Sequence, residues 1–292
     1  MSPHRSRGMS LRTILVHLDH GTPCAGRVDL AAALARRHDA RLVGLLPSGL
    51  HDGTIPAALL APGGDDFIAG SAHFLRVRSE AIAQVFEDRV RQAGPLSHEV
   101  RKVDGTAVDA LVRHARASDL VVVGQVGQHA TERDPTLGVG VRTLPQDVAL
   151  GAGRPVLVVP STGRFADAGQ RVLVAWDGSR EAAMALRDVL QLVDRTSRLW
   201  LMSMHVDEPI DDETLQIGPV LAWLARHGIV AEAHRQASSI DFAGALRSNA
   251  AASGADLLVM GCHGHSRLRE LLLGGVTHAM MAHLHLPVLM SH

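Results

Sequence analysis

Tyrosine is missing from the 292-residue sequence, and aromatic residues make up only 3% of it. Stacking on unpaired bases needs aromatic faces, so the chain has little with which to hold single-stranded nucleic acid. Net charge is almost absent too. With 29 basic and 30 acidic residues the formal charge is -1, and DNA or RNA meets no overall attractive field. Lysine is reduced to one residue, Lys102. There is no Gly-x4-Gly-Lys-(Ser/Thr) phosphate loop, and lysine chemistry at a carbonyl has a single candidate. The two cysteines, Cys24 and Cys262, lie far apart and form no Cys-x2-Cys pair. No disulfide framework is expected, and a reducing cytoplasm is the expected compartment. No apolar run reaches the roughly 18–20 residues of a membrane span, and the polar start MSPHRSRGMS reads as a flexible tail over 1–10 rather than a signal peptide.

What is present is a chain 46% hydrophobic and 20% charged, long enough for two ordinary domains. Short apolar runs alternate with segments of helical period. Thr13–Leu18, Arg41–Leu46, Leu120–Val123 and Pro155–Val159 are near-continuous Val, Leu and Ile, the pattern of parallel strands covered on both faces. Pro23–His38 and Ser71–Ala93 carry apolar residues at helical spacing. The same order restarts at Arg171 with RVLVAW, a helix from about Ser179, then RLWLMSMHV, ADLLVM and PVLM. Strands separated by helices predict an α/β fold with right-handed crossovers and a doubly wound sheet.

The restart is an internal repeat. Ile14–Asp19 matches Val172–Asp177, Ser118–Gly124 matches Ala255–Gly261, and Arg154–Val158 matches Leu286–Met290. The repeat predicts one domain over 11–160, a linker over 161–170 and a second domain over 171–292. From Asp19 to Gly124 is 105 residues, against 84 from Asp177 to Gly261. The surplus is expected in the Gly- and Pro-rich segment 47–70, as a surface insertion, or as a lid or partner-binding loop.

Two features carry the candidate chemistry. Asp177 ends a predicted strand and is followed by Gly178 and Ser179. A carboxylate there faces the crevice in which doubly wound folds hold ligands, although Asp-Gly-Ser is also an ordinary turn and helix cap. In the second feature, ADLLVM runs into GCHGHSRLRELLLGGVTH, with glycines at 261, 264, 274 and 275 and with Arg267 and Arg269 nearby. Glycine after a buried strand lets backbone N–H groups approach phosphate, and any βα turn uses glycine as well. Cys262, His263 and His265 cluster in this turn, and His278, His283 and His285 follow it, but none has zinc spacing. No metal site is expected. His283 reads as a packing or hydrogen-bonding residue, and Cys262 as a plain small one.

Arg171–Leu186 together with ADLLVMGCHGHSRLRELLLGGVTHAMMAHLHLPVLM resembles the universal stress protein family. The family pattern Gly-x2-Gly-x9-Gly-(Ser/Thr) is met by Gly261, Gly264 and Gly274. The resemblance covers all of the second copy and, more weakly, the first, so the chain is similar to a tandem member. It implies two nucleotide-binding-like (Rossmann-like) domains, each a parallel five-stranded sheet with helices on both faces. It also implies a non-enzymatic stress-response protein that holds an adenine nucleotide, ATP with Mg as its companion ion, and acts through nucleotide-dependent contacts with protein partners. On this resemblance Asp177 and Gly178 face the ribose or base, and Val206 offers backbone groups to the base. Gly261 and Gly264 line the turn, while Gly274, Gly275 and Thr277 take the phosphates. Single-domain members pair through their last strands, so Pro155–Val159 is expected against Pro287–Met290 as an internal pseudo-dimer, with a homodimer as a further assembly.

Two departures bear on this. Gly275 stands where the pattern has Ser or Thr, with Thr277 two residues on. In the first copy Gly124 and Gly127 keep the first spacing, but the next glycine, Gly138, is one residue late, and Glu132, Asp134 and Pro135 lie where phosphate would sit. The first site is expected to be degenerate. The alternatives are an interaction module that has lost nucleotide binding and a slow ATPase. No nucleophile–base pair or lysine beside the glycines supports the second of these.

Overall fold

The computed structural model describes residues 10–48, 64–125, 144–205, 212–237, 242–262, 280–281 and 283–292. In the first half, β1 (Thr13–His17), β2 (Arg41–Pro47), β3 (His98–Val103), β4 (Leu120–Gly124) and β5 (Val156–Val159) are linked by helices. These are α1 (Cys24–His38), α2 (Gly64–Ala93), α3 (Ala107–Ala115) and α4 (Leu144–Ala152). In the second, β6 (Arg171–Ala175), β7 (Arg198–His205), β8 (Val230–Ala237), β9 (Leu257–Gly261) and β10 (Val288–Ser291) alternate with α5 (Arg180–Val189), α6 (Asp212–Leu215), α7 (Ile217–Arg226) and α8 (Phe242–Ser253).

All ten strands join one sheet in the order β3-β2-β1-β4-β5-β10-β9-β6-β7-β8. Every neighbouring pair is parallel except β5–β10, which is antiparallel with Leu289 opposite Leu157 and Met290 opposite Val156. The two five-stranded sheets implied by the family resemblance are thus halves of a single sheet, each with the order 3-2-1-4-5. They meet through the strands expected to pair. Because β5 and β10 run oppositely, the carboxyl ends of the strands in the two halves point to opposite edges of the sheet.

Side chains alternate across the strands. Ile14, Val16, Val172 and Val174 face a core closed by α1, α2, α5 and α7, whereas Leu15, Leu173, Leu258 and Met290 face one closed by α3, α4 and α8. The central strands are buried on both sides, hence their unbroken apolar runs. The outermost strands, β3 and β8, carry no such run. In β8, Ala231 and Ala233 pack inward while Val230, Glu232, His234 and Gln236 are exposed, an alternating pattern suited to a sheet edge.

Helix boundaries follow local chemistry. Ser179 caps α5 by accepting the Ala182 N–H at 3.1 Å, and Thr106 caps α3 by accepting that of Asp109 at 3.1 Å. The segment 47–70 is a correction in part: α2 begins at Gly64 rather than near Ser71. Its remainder, apart from Pro47 and Ser48, lies outside the described residues. The segment 161–170 is tied down along its second part. Arg37, at the end of α1, donates to Asp167 at 2.6 Å, to the Ala168 carbonyl at 2.9 Å and to the Leu192 carbonyl at 2.8 Å.

The matched aspartates of the repeat do one job twice. Asp119 accepts the backbone N–H groups of Arg12 and Thr13 at 2.7 and 2.9 Å. Asp256 accepts those of Gly169, Gln170 and Arg171 at 2.7–3.2 Å. Each carboxylate holds the chain as it enters the first strand of its half.

Candidate functional site

Ligands of doubly wound sheets sit beyond the carboxyl ends of the strands, where the strand order reverses. Here that point falls between β1 and β4 in the first half and between β6 and β9 in the second.

At the second point, Trp176 follows β6 and its indole N–H donates to the Leu215 carbonyl at 2.7 Å, fixing the segment 212–217 beside the strand end. Asp177 comes next, half-buried, with one carboxylate oxygen accepting the Ser179 N–H at 3.0 Å. Gly178 lies at φ +74°, and a Cβ there would stand 2.9 Å from the Thr214 carbonyl oxygen. Both the backbone angle and the close approach demand glycine. Asp-Gly-Ser therefore does act as a turn and cap, and that turn presents Asp177 at the carboxyl edge of β6.

Gly261 ends β9, and its role is set by its neighbour. A Cβ on it would lie 2.7 Å from the Glu181 carbonyl carbon and 2.8 Å from the Ala182 nitrogen, so glycine lets the first turn of α5 rest directly on the strand. Beside it in register is Ser291, 2% exposed, whose hydroxyl has no hydrogen-bond partner among the described residues. Sequence reading passed Ser291 over because it lies in the closing strand, and only the pairing of β10 with β9 brings it to Gly261. Val206, Gly264, Gly274, Gly275 and Thr277 lie outside the described residues.

The first point is built differently. Arg27, one turn into α1 and 3% exposed, donates from Nε to the His17 carbonyl at 2.8 Å and from Nη2 to Asp19 at 2.8 Å. Its Nη1 lies over Gly124, in the space that a Cβ there would need. The other Asp19 oxygen accepts the Gly21 N–H at 2.9 Å. Burial opposes ionisation of Asp19, but the charge of Arg27 and the hydrogen bonds from Arg27 and Gly21 outweigh it and hold its carboxyl below the usual range. His17, 7% exposed, has its pKa pushed down to about 4, first by burial and then by Arg27, against the pull of Asp19. Sequence reading singled out Asp19 and Gly124 but not Arg27, which reaches them only through the crossing of α1 over the sheet.

The remaining candidates are settled by position. Cys262 is fully buried, and burial drives its thiol pKa up to about 12, so it is a small core residue. Cys24 is buried and its pKa is also raised. His283 is exposed, which removes packing from the packing or hydrogen-bonding role expected of it. Lys102 is exposed on the edge strand β3, with β2 and β1 between it and β4. Among the described residues no group of three metal-ligating side chains occurs, and no helix is long and apolar enough to cross a membrane.

Comparison with known proteins agrees with this architecture. The model of the universal stress protein family matches residues 243–292. A universal stress protein of Synechocystis sp. (Slr1230) is 24% identical over 222 residues, spanning 73% of this chain and 71% of that one. A universal stress protein from Archaeoglobus fulgidus superposes over 96% of this chain and 95% of its own with a TM-score of 0.71 at 15% identity. A functionally unknown protein from Pseudomonas aeruginosa PAO1 does so over 96% and 92%, with a TM-score of 0.54 at 16% identity. The match at the carboxyl-terminal segment, a relative spanning most of the chain and the shared fold all make this chain similar to universal stress proteins.

Proposed function

We propose that the chain is a tandem, cytoplasmic member of the universal stress protein family, a non-enzymatic stress-response protein that holds one ATP in its second half. The observation that carries this reading is that Asp177, just past the carboxyl end of β6, and Gly261, at the carboxyl end of the neighbouring β9, flank the reversal of strand order. The Gly261-x2-Gly264-x9-Gly274 spacing follows directly in the sequence. In this reading Asp177 and Gly178 face the ribose or base, Val206 the base, Gly261 and Gly264 line the turn at ribose and phosphate, and Gly274, Gly275 and Thr277 take the phosphates with their Mg ion. With no lysine near these positions, phosphate rests on backbone N–H groups and arginine. That suits holding a nucleotide more than cleaving it. Nucleotide-dependent contacts with protein partners are the output. The β5–β10 pairing gives one chain the last-strand contact that two single-domain chains would share.

Thermal melting with Mg-ATP tests this. A ligand at 100 times its Kd stabilises the folded state by about 2.7 kcal/mol. Millimolar Mg-ATP should raise Tm by several degrees, and Gly264→Asp should abolish the rise with the unliganded Tm unchanged. No shift in the wild type would instead favour an interaction module that has lost its ligand, the reading that Gly275 in place of Ser or Thr supports. Phosphate release above background, lost in Asp177→Ala, would revive the ATPase.

A further inference from the structure

We infer that Arg27 is a built-in ligand that closes the first half's crevice, so that one chain carries at most one nucleotide. The inference rests on the nucleotide reading above only for that count. The closure itself stands on the geometry around Arg27.

The guanidinium bridges the two strand ends that flank the reversal of strand order. It bonds the carbonyl of His17 at the end of β1, and it lies on Gly124 at the end of β4. Between them it takes one oxygen of Asp19, the residue matching Asp177, while the Gly21 N–H takes the other. A planar cation with donors on several sides fits this arrangement of acceptors, and a single ammonium group does not. At 3% exposure the group is part of the interior and not an anion-binding arginine at the surface. Gly124 is accounted for in the same way. Glycine there makes room for Nη1, and no ligand is required to explain it.

No described side chain plays this part in the second half. The arginines of α5, Arg180 and Arg187, are 69% and 57% exposed and pair with the adjacent Glu181 and Asp188. Over Gly261 lies helix backbone and not a cation. The two halves share a fold and differ in what lies over the glycine that ends their fourth strand, the Arg27 guanidinium in one and helix backbone in the other.

Two measurements test the closure and keep it separate from the nucleotide reading. The first is chemical rescue. Arg27→Ala leaves a guanidinium-sized vacancy lined by the same acceptors, so guanidinium chloride at about 20 mM should raise its Tm by a few degrees over sodium chloride. The wild type should show no such rise. Absence of rescue, or an equal rise in both proteins, overturns the inference. The second measurement is native mass spectrometry of the full chain with Mg-ATP. One nucleotide per chain is expected, undiminished in Asp19→Asn and lost in Asp177→Ala. Two nucleotides in the wild type, or a loss of bound nucleotide in Asp19→Asn, overturns the inference even if Arg27→Ala fails to fold. Rescue together with no nucleotide at all in the wild type would sink the proposed function and leave the closure standing.

Discussion

Gly261→Ala separates two explanations of one glycine. If Gly261 serves only a ligand, adding a methyl group should leave the unliganded protein untouched, or stabilise it by about 0.4–1 kcal/mol through the unfolded chain. The structure requires the opposite. The added Cβ would stand 2.7 Å from both the carbonyl carbon and the Cβ of Glu181 and 2.8 Å from the Ala182 nitrogen. These atoms belong to the helix itself, so no rotamer change relieves the contact. Helix α5 must retreat by more than about half an ångström from a sheet packed to interior density. Overpacking of this kind costs about 1–3 kcal/mol. The upper part of that range applies, because α5 is held on both sides, by Ser179 at its cap and by Leu186 and Val189 in the core. We expect a net loss of about 2 kcal/mol, a fall in Tm of about 4–8 °C, and a lower urea midpoint at constant slope. An unchanged or raised Tm without ligand would refute the packing argument.

The matching variant Gly124→Ala should cost a similar amount for a different reason, since its Cβ would displace Arg27 Nη1 and break charge-assisted hydrogen bonds. Combining it with Arg27→Ala should recover much of the loss, a non-additivity that no side-chain truncation on α5 could give for Gly261→Ala.

Stability should also depend on pH through His17. Its folded pKa of about 4 lies below its ordinary value of 6.5, so the unfolded chain binds the extra proton in between, and stability should fall by about 3 kcal/mol from pH 6.5 to 4. Urea unfolding across that range should show a shallower fall in His17→Gln, and equal slopes would refute the assignment. Asp256→Ala strips three backbone N–H groups of their charged acceptor where the chain enters β6. It should lower stability by about 2–4 kcal/mol, and a loss below about 0.5 kcal/mol in urea unfolding would show that water replaces the carboxylate.

Most of the fold was legible because a strand buried on both faces has no freedom to be polar. β1, β2, β4, β5, β6, β7, β9 and β10 each announce themselves as apolar runs. β3 and β8 do not, because an edge strand buries one face only, and HEVRKV and VAEAHRQA read locally like many half-exposed segments. The repeat located Asp119 and Asp256 correctly, but their work lies at the amino ends of the strands, away from either crevice, and sequence spacing does not distinguish one edge of a sheet from the other. Ser179 was visible as a cap because capping is local. Arg27 was not, because its partners lie 8 and 10 residues back in the chain and 97 residues ahead, at Gly124, and only the crossing angle of α1 brings them together.

The antiparallel seam changes what closing one crevice means for the molecule. Since the strands of the two halves run oppositely, the carboxyl edge of the first half is the amino edge of the second. The rim of the first crevice is therefore next to the chain that leads into β10. Gln125, directly after Gly124, makes that contact. Its amide donates to the Met281 carbonyl at 2.7 Å, and its carbonyl accepts from the N–H and hydroxyl of Ser161 at 2.9 and 3.2 Å. Gln125 is the position that Cys262 occupies in the second copy. Met281 follows the glycine segment that would hold phosphate, and only a few residues separate it from β10. A first half that opened and closed around its own ligand would move this anchor with every event. With Arg27 bonded between β1 and β4, the closing strand of the second half pairs with a half whose strand ends are already tied together by its own side chains.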